Sequence, residues 1–157
     1  MYSKKSASNL LVLAGLILLT FCAPLAGMFS PPGEWYASLS KPAWNPPGWI
    51  FGPVWTLLYV MMAVAAWLVW KRDGWRQALW LYVVQLGFNA AWTPMFFGAQ
   101  QIGWAFAVIV ALWLAILVTL LAFLRVSKAA GWLLVPYLAW VTFAAFLNFT
   151  LWRMNPL

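Results

Sequence analysis

The 157-residue sequence has no histidine, only one cysteine and only two acidic residues, Glu34 and Asp73. Without histidine, and with so few carboxylates, it lacks the usual general bases and the usual ligands of hydrolytic metals and haem iron. The single cysteine, Cys22, excludes a disulfide within the chain, and we expect it to be a buried thiol. Charged residues make up 7% of the sequence, against about 25% in soluble domains. A soluble globular surface is therefore excluded.

Long uncharged segments take the place of that surface. Four runs contain no Asp, Glu, Lys or Arg: residues 6–33, 42–70, 77–124 and 129–152. A membrane-spanning helix needs about 20 apolar residues, and the third run is long enough for two helices separated by "FGAQQIG" at 97–103. The sequence predicts an all-α membrane protein, a single domain over residues 1–157 with five transmembrane helices at about 9–28, 49–70, 79–97, 102–124 and 131–151.

The basic residues favour one side of such a bundle. Five spans place seven of the nine on one side, namely Lys4, Lys5, Lys71, Arg72, Arg76, Arg125 and Lys128. Lys41 and Arg153 fall on the other side. By the positive-inside rule, this bias predicts a cytoplasmic N-terminus and an external C-terminus. We expect a multi-pass protein of a bacterial cell membrane, whose net charge of +7 serves this topology and not nucleic-acid binding.

Polar residues within the uncharged runs lie on three helical stripes. Their spacings of three and four residues place them on one face of each helix: Gln85, Asn89, Trp92 and Phe96; Tyr137, Trp140, Ala144 and Asn148; and Trp55 with Tyr59. Amides in a membrane also act simply as hydrogen bonds between helices, and for Gln85 this is the favoured interpretation. Large rings beside amides and one small residue, at similar depths on three helices, instead predict a ligand pocket.

The connection between the first two helices is rich in proline and aromatic residues. Prolines fix backbone angles and lower the entropy lost on ordering a loop, while tryptophan and tyrosine also suit a membrane interface. Both an aromatic belt and a semi-rigid lid over the pocket fit this composition. The predicted lid residues are Trp35, Tyr36, Lys41, Pro42, Trp44, Pro46 and Pro47.

Three segments resemble the tryptophan-rich sensory protein and translocator protein (TspO/MBR) family. They are "WYASLSKPAWNPPGWIFGPVWTLLY" at 35–59, "QLGFNAAWTPMFF" at 85–97 and "VPYLAWVTFAAFLNFTLWR" at 135–153. The resemblance implies a five-helix bundle, commonly a homodimer, that binds porphyrins such as protoporphyrin IX and, in some members, sterols. The family's ligand contacts would fall on Trp55, Tyr59, Asn89, Trp92, Trp140 and Ala144. We add Asn148 to this predicted site because it shares a helical face with Trp140 and Ala144.

One departure from the family concerns sterols. The sterol motif at the end of the last helix needs a tyrosine before the basic residue, and this sequence has Phe149 before Arg153. Such motifs are weak indicators even where they are complete. Sterol binding is therefore a less favoured prediction than porphyrin binding.

Two functions of different classes remain open from the sequence. The first is a membrane-embedded binding protein that senses, regulates or transports porphyrins, with no cofactor of its own. The second is an enzyme that degrades porphyrin by light- or oxygen-dependent chemistry, for which the resemblance points to Trp55 and Trp140. The first is favoured because no carboxylate falls inside a predicted span.

Overall fold

A computed structural model describes residues 2–156, with side chains from residue 9 onward, and within that part of the chain all regular structure is helical. The helices are α1 (Tyr2–Met28), α2 (Glu34–Ser38), α3 (Phe51–Asp73), α4 (Gln77–Thr93), α5 (Ile102–Val126) and α6 (Lys128–Met154). A 3₁₀ turn at Gly48–Ile50 leads into α3, and a π-helical turn at Pro94–Gly98 follows α4.

The five long helices form a closed ring. Around it, α1 packs between α3 and α4, α4 packs against α5, α5 against α6, and α6 against α3. The centre is filled by buried side chains that include Met62, Leu79, Tyr82, Ile116 and Tyr137. A bond of 2.6 Å between the hydroxyls of Thr20 and Tyr82 ties α1 to this core. The short α2 lies in the connection between α1 and α3.

Several of these helices are long and apolar enough to cross a bilayer. The four that qualify are Asn9–Met28, Gly48–Asp73, Ile102–Val126 and Lys128–Met154. The remaining long helix, α4, has 17 residues, which is at the short end of the usual range. The chain is an integral membrane protein.

On the side of the bundle that is rich in basic residues, the helices are longer than the sequence predicted. α3 continues to Asp73, where Gly74 at φ +68° ends it, a backbone angle that glycine adopts without steric cost. α5 and α6 are separated by Ser127 alone, and the Ser127 Oγ accepts a bond of 3.4 Å from the Ala130 amide. Charged residues extend these helices past their apolar runs because long basic side chains reach water from a membrane surface.

The other end of α4 differs from the prediction, which carried the helix to residue 97. Regular α-helix stops at Thr93 because Pro94 has no amide hydrogen to continue the bonding pattern. The Ala99 amide then donates to the Pro94 carbonyl at 2.8 Å, closing a wider π turn. Gln100, at φ +57°, ends the segment. The wider turn places Phe96 and Phe97 toward the interior.

The prediction that Cys22 is buried was wrong. Its side chain is exposed, and it shares an outer face of α1 with Leu18 and Leu25, which are 69% and 49% exposed. α1 packs mainly against α3 and α4, and the described chain leaves this face uncovered. In a membrane such a face lies against lipid or against another protein.

Candidate functional site

A cavity in two adjoining compartments lies at the end of the bundle where the α1–α3 connection crosses it. The lid-side compartment has a volume of about 490 Å³ and the deep compartment about 420 Å³. These volumes fall in the range of small-molecule sites. Both compartments are lined mainly by apolar side chains, and they share six lining residues: Pro32, Phe51, Trp55, Trp92, Thr93 and Ala144.

Stacked aromatic side chains make the walls of the cavity. Trp55 stacks on Tyr59, one turn further along α3, with ring centroids 5.4 Å apart and planes 26° apart. On the opposite wall, Trp92 stacks on Phe96 at 5.1 Å and 27°. Phe51 meets the edge of Trp140 at 5.8 Å. The cavity therefore presents flat apolar surfaces from α3, α4 and α6.

A chain of buried hydrogen bonds forms the polar floor of the deep compartment. The Tyr59 hydroxyl donates to the Asn89 side-chain oxygen, Asn89 Nδ2 donates to the Tyr137 hydroxyl, and Tyr137 donates to Gln85 Oε1, each at 2.8 Å. All four residues are at most 6% exposed. Because the bonds join α3, α4 and α6, Gln85 and Asn89 do act as polar contacts between helices. Asn89 and Tyr59 also line the cavity.

A second amide fixes the orientation of Trp92. Its indole Nε1 donates to Asn148 Oδ1 at 3.0 Å, and Asn148 Nδ2 donates to the Ile102 carbonyl at 3.0 Å. Asn148 is 1% exposed and lies at the edge of the lid-side compartment. It therefore joins α4, α5 and α6 and holds one aromatic wall in place.

Two buried polar atoms of cavity-lining residues have no partner within the described residues: Asn45 Oδ1 in the lid-side compartment and Trp140 Nε1 in the deep one. The Trp140 indole Nε1 is buried, and it makes no hydrogen bond within the described residues. Trp140 lines the deep compartment. An unpaired buried donor costs free energy that a bound acceptor recovers. The cavity thus offers one unused N–H to a ligand.

The α1–α3 connection forms one wall of the lid-side compartment through Pro32, Tyr36, Asn45, Pro46 and Gly48. Tyr36 packs edge-on against Phe97 at 5.3 Å. Burial raises the pKa of Tyr36 above its ordinary value of 10.0, so its phenol stays neutral at physiological pH.

The C-terminal end of α6 clasps this connection. Asn155 Oδ1 accepts a bond of 2.9 Å from the Ser40 amide, and Asn155 Nδ2 donates to the Ser40 carbonyl at 3.0 Å. Trp44 stacks on Phe146 of α6 at 5.4 Å. These contacts hold the connection against the mouth of the cavity.

Residues 11–153 match the TspO/MBR family over most of the chain. The chain belongs to the TspO/MBR family. The tryptophan-rich protein TspO of Chlorobaculum tepidum is 46% identical over an alignment that covers 94% of this chain and 98% of that protein. The tryptophan-rich sensory protein of Cereibacter sphaeroides is 44% identical, with 88% and 91% covered. The human translocator protein is 46% identical, with 78% and 75% covered.

For this TspO/MBR family member, the structure brings the predicted ligand contacts to one cavity. Its lining includes Trp55, Tyr59, Asn89, Trp92, Trp140, Ala144 and Asn148. Of the predicted lid residues, Tyr36 and Pro46 line it as well. Trp35 packs on Phe96 behind the wall. The remaining four, which are Lys41, Pro42, Trp44 and Pro47, are not among the lining residues.

Lys41 is held by the lid itself. Its Nζ donates to the Ala37 and Leu39 carbonyls at 3.1 Å each and lies 4.8 Å from the centre of the Tyr36 ring. These contacts anchor the ammonium group to the backbone around α2. The ammonium group therefore belongs to the lid and does not line either compartment.

Sequence reasoning missed several cavity residues. Phe51 lies one turn before Trp55, so extending that stripe backward would have found it. Thr93 directly precedes Pro94 and Phe97 follows it by three residues, and the proline indicated a change of helix geometry there. Pro24 and Gly27 reach the deep compartment from α1. They follow Thr20 at spacings of four and three residues, so the one buried polar residue among the described side chains of that helix could have indicated its inner face.

Proposed function

We propose that this protein is a membrane-embedded binding protein for porphyrins and similar flat hydrophobic molecules, acting in tetrapyrrole sensing, regulation or transport. The observation that carries the proposal is the two-compartment cavity with stacked aromatic walls. Burial of a flat macrocycle between such walls contributes about 25 cal/mol per Å² of apolar area, before ordering costs. The lid-side mouth gives a route for the acidic edge of a porphyrin to reach water.

The polar groups of the cavity favour binding over chemistry. The hydroxyls of Tyr59 and Tyr137 are already engaged with Asn89 and Gln85, and neither Glu34 nor Asp73 is among the lining residues. Proton transfer to a ligand therefore has no carboxylate to use. The free indole N–H of Trp140 instead suits a neutral or anionic oxygen of the ligand.

Protoporphyrin IX titration of the purified protein tests the proposal. We expect saturable quenching of tryptophan fluorescence in the dark, because the porphyrin would lie against several indoles. A porphyrin absorption band that persists under illumination supports binding. Loss of that band with multiple turnovers would instead favour the degrading enzyme, and the absence of any saturable change would contradict a porphyrin site.

Replacing Trp55 or Trp140 by phenylalanine separates stacking from redox chemistry. Phenylalanine keeps most of the apolar contact, so we expect dark affinity to fall by only about 1 kcal/mol, or roughly fivefold. Any photochemical loss of porphyrin should fall only in proportion to occupancy. A variant with normal dark binding but no photodegradation would identify the indole as a redox group and overturn the binding assignment. Trp104, which is 68% exposed on α5 and lines neither compartment, is the matched control.

We further propose that all five long helices span the membrane, with the N-terminus inside and the lid outside. With its π turn, α4 runs from Gln77 to Gly98, which is long enough for a span. Lys4 and Lys5, which contribute to the charge bias, lie outside the residues whose side chains are described. Cysteines at Ala129 and Pro156 in a Cys22→Ala background should react differently with an impermeant thiol reagent on intact spheroplasts. We expect labelling at position 156 but not at 129. The opposite result would show that the protein has the reverse orientation in the membrane.

We keep the bacterial cell membrane as the predicted location and the homodimer as the predicted assembly. The exposed apolar face of α1 around Leu18 and Cys22 is a surface on which a second copy could pack. Cross-linking through Cys22 in detergent and in vesicles tests whether that face meets a second copy. Sterol binding stays less favoured, because Phe149 has no hydroxyl where the motif needs a tyrosine before Arg153.

A further inference from the structure

A second cavity lies at the opposite end of the bundle, away from the lid. It has a volume of about 440 Å³ and opens between the start of α4 and the end of α5. Its lining combines a charged rim, formed by Asp73, Arg76, Gln77 and Arg125, with an apolar floor, formed by Ala78, Leu81, Val118, Leu121, Ala122 and Val126. None of these residues lines the ligand cavity described above.

The rim has an excess of positive charge. Arg76 is paired with Asp73 at 3.2 Å, which leaves that carboxylate neutralised. Arg125 is exposed and makes no ion pair within the described side chains. Just outside the rim, Arg72 donates to the Val126 carbonyl at 3.2 Å and so brings a third guanidinium to this corner. Arginine presents a planar set of donors that matches phosphate oxygens.

The start of α4 adds to the positive electrostatic potential at the rim. α4 begins after Arg76 with no acidic residue in its first turn and no side chain that caps it. The first amide hydrogens of a helix lack partners and carry partial positive charge. Because Gln77 and Ala78 line the cavity, the start of α4 lies at the rim beside the arginines.

The floor shows what kind of anion the rim suits. Val118 and Leu121 are each 48% exposed, and both lie on α5, a helix apolar enough to span a membrane. A soluble anion would occupy the rim and leave this apolar floor uncovered. A phospholipid places a phosphate at the level of the arginines and its acyl chain along α4 and α5.

We propose that this cavity binds an anionic phospholipid, with the headgroup phosphate on Arg125 and Arg76 and an acyl chain against Leu81 and Leu121. Two features distinguish the proposal from the general attraction of basic loops to anionic lipid. The arginines border a cavity, and the cavity continues into an apolar groove. Lys128 is also exposed and basic at this end of the bundle, but it does not line the cavity.

Delipidated protein in detergent micelles provides the test. Phosphatidylglycerol and phosphatidylcholine with matched acyl chains are titrated separately, and bound lipid is counted by native mass spectrometry while the unfolding temperature is recorded. We expect one phosphatidylglycerol to be retained in preference to phosphatidylcholine. Arg125→Gln should lower its apparent affinity about fivefold, and Lys128→Gln should leave it unchanged.

The other outcomes overturn the proposal. Equal losses in Arg125→Gln and Lys128→Gln would mean that the lipid responds to surface charge alone. Equal retention of both lipids would exclude a headgroup site, and the same stabilisation by inorganic phosphate would identify a site for free anions. Arg76→Gln gives a second measurement if Arg125→Gln does not fold. Porphyrin titration of the same variants measures binding at the ligand cavity, so a failure of the lipid proposal can be distinguished from a failure of the porphyrin proposal.

Discussion

Replacing Asn89 by leucine is expected to destabilise the bundle by about 2 kcal/mol. Asn89 accepts from Tyr59 and donates to Tyr137, and leucine can do neither. The Tyr59 hydroxyl is then buried without an acceptor, and such an orphaned group costs about 1–3 kcal/mol. Hydrogen bonds between membrane helices average less, about 0.6 kcal/mol, so the orphaned hydroxyl is the larger part of the loss.

The measurement is unfolding of the purified protein in mixed micelles, followed by circular dichroism. A loss of about 2 kcal/mol corresponds to a fall of roughly 4–8 °C for a chain of this size. In the Asn89→Leu background, Tyr59→Phe should recover part of the loss because it removes the orphaned hydroxyl. This recovery, measured as a double-mutant cycle, identifies the hydrogen-bond chain as the cause.

Thr142→Val is the matched control for Asn89→Leu. It removes the bond of 2.8 Å between Trp113 Nε1 and Thr142, which also joins two helices but is exposed. We expect a smaller loss there, since Thr142→Val breaks one bond between helices, whereas Asn89→Leu breaks both the bond from Tyr59 and the bond to Tyr137. Equal losses in the two variants would show that the buried chain contributes no more than an ordinary contact between helices.

The helical periodicity of the sequence predicted which side chains share a face, because spacings of three and four residues are a local property of the chain. Trp55 with Tyr59 and Trp140 with Ala144 lie on common walls of the cavity for this reason. The polar character of Asn89 and Asn148 marked inward positions, since an amide facing hydrocarbon lacks a partner. Position on a face and inward direction were therefore readable from the sequence.

Other features depend on contacts between distant parts of the chain. The clasp between Ser40 and Asn155 joins residues 115 positions apart, and no periodic pattern connects them. The anchoring of Lys41 on α2 carbonyls likewise depends on how the loop folds. The exposure of Cys22 follows from which side of α1 packs against α3 and α4. In the described part of α1 the sequence signal for the covered face is confined to Thr20, whose buried hydroxyl bonds Tyr82.

Substituting Ala144 by threonine is expected to weaken porphyrin binding at least about fivefold while leaving the fold intact. Ala144 lines both compartments, so added atoms enter the space where the two join. Overpacking of a filled site costs about 1–3 kcal/mol, which corresponds to at least roughly a fivefold loss of affinity. The new hydroxyl has a partner within reach, because a threonine in a helix bonds the carbonyl four residues earlier, as Thr150 does with Phe146.

Ala139→Thr separates this steric effect from the general cost of threonine in α6. Ala139 lies on the same helix, is exposed, and lines neither compartment. Both variants lose the same small amount of helix propensity, so their unfolding temperatures should be similar. Only Ala144→Thr should raise the dissociation constant for protoporphyrin IX in the dark titration. If the two variants bind the porphyrin equally well, the ligand does not occupy the junction of the two compartments, and the proposed site is wrong.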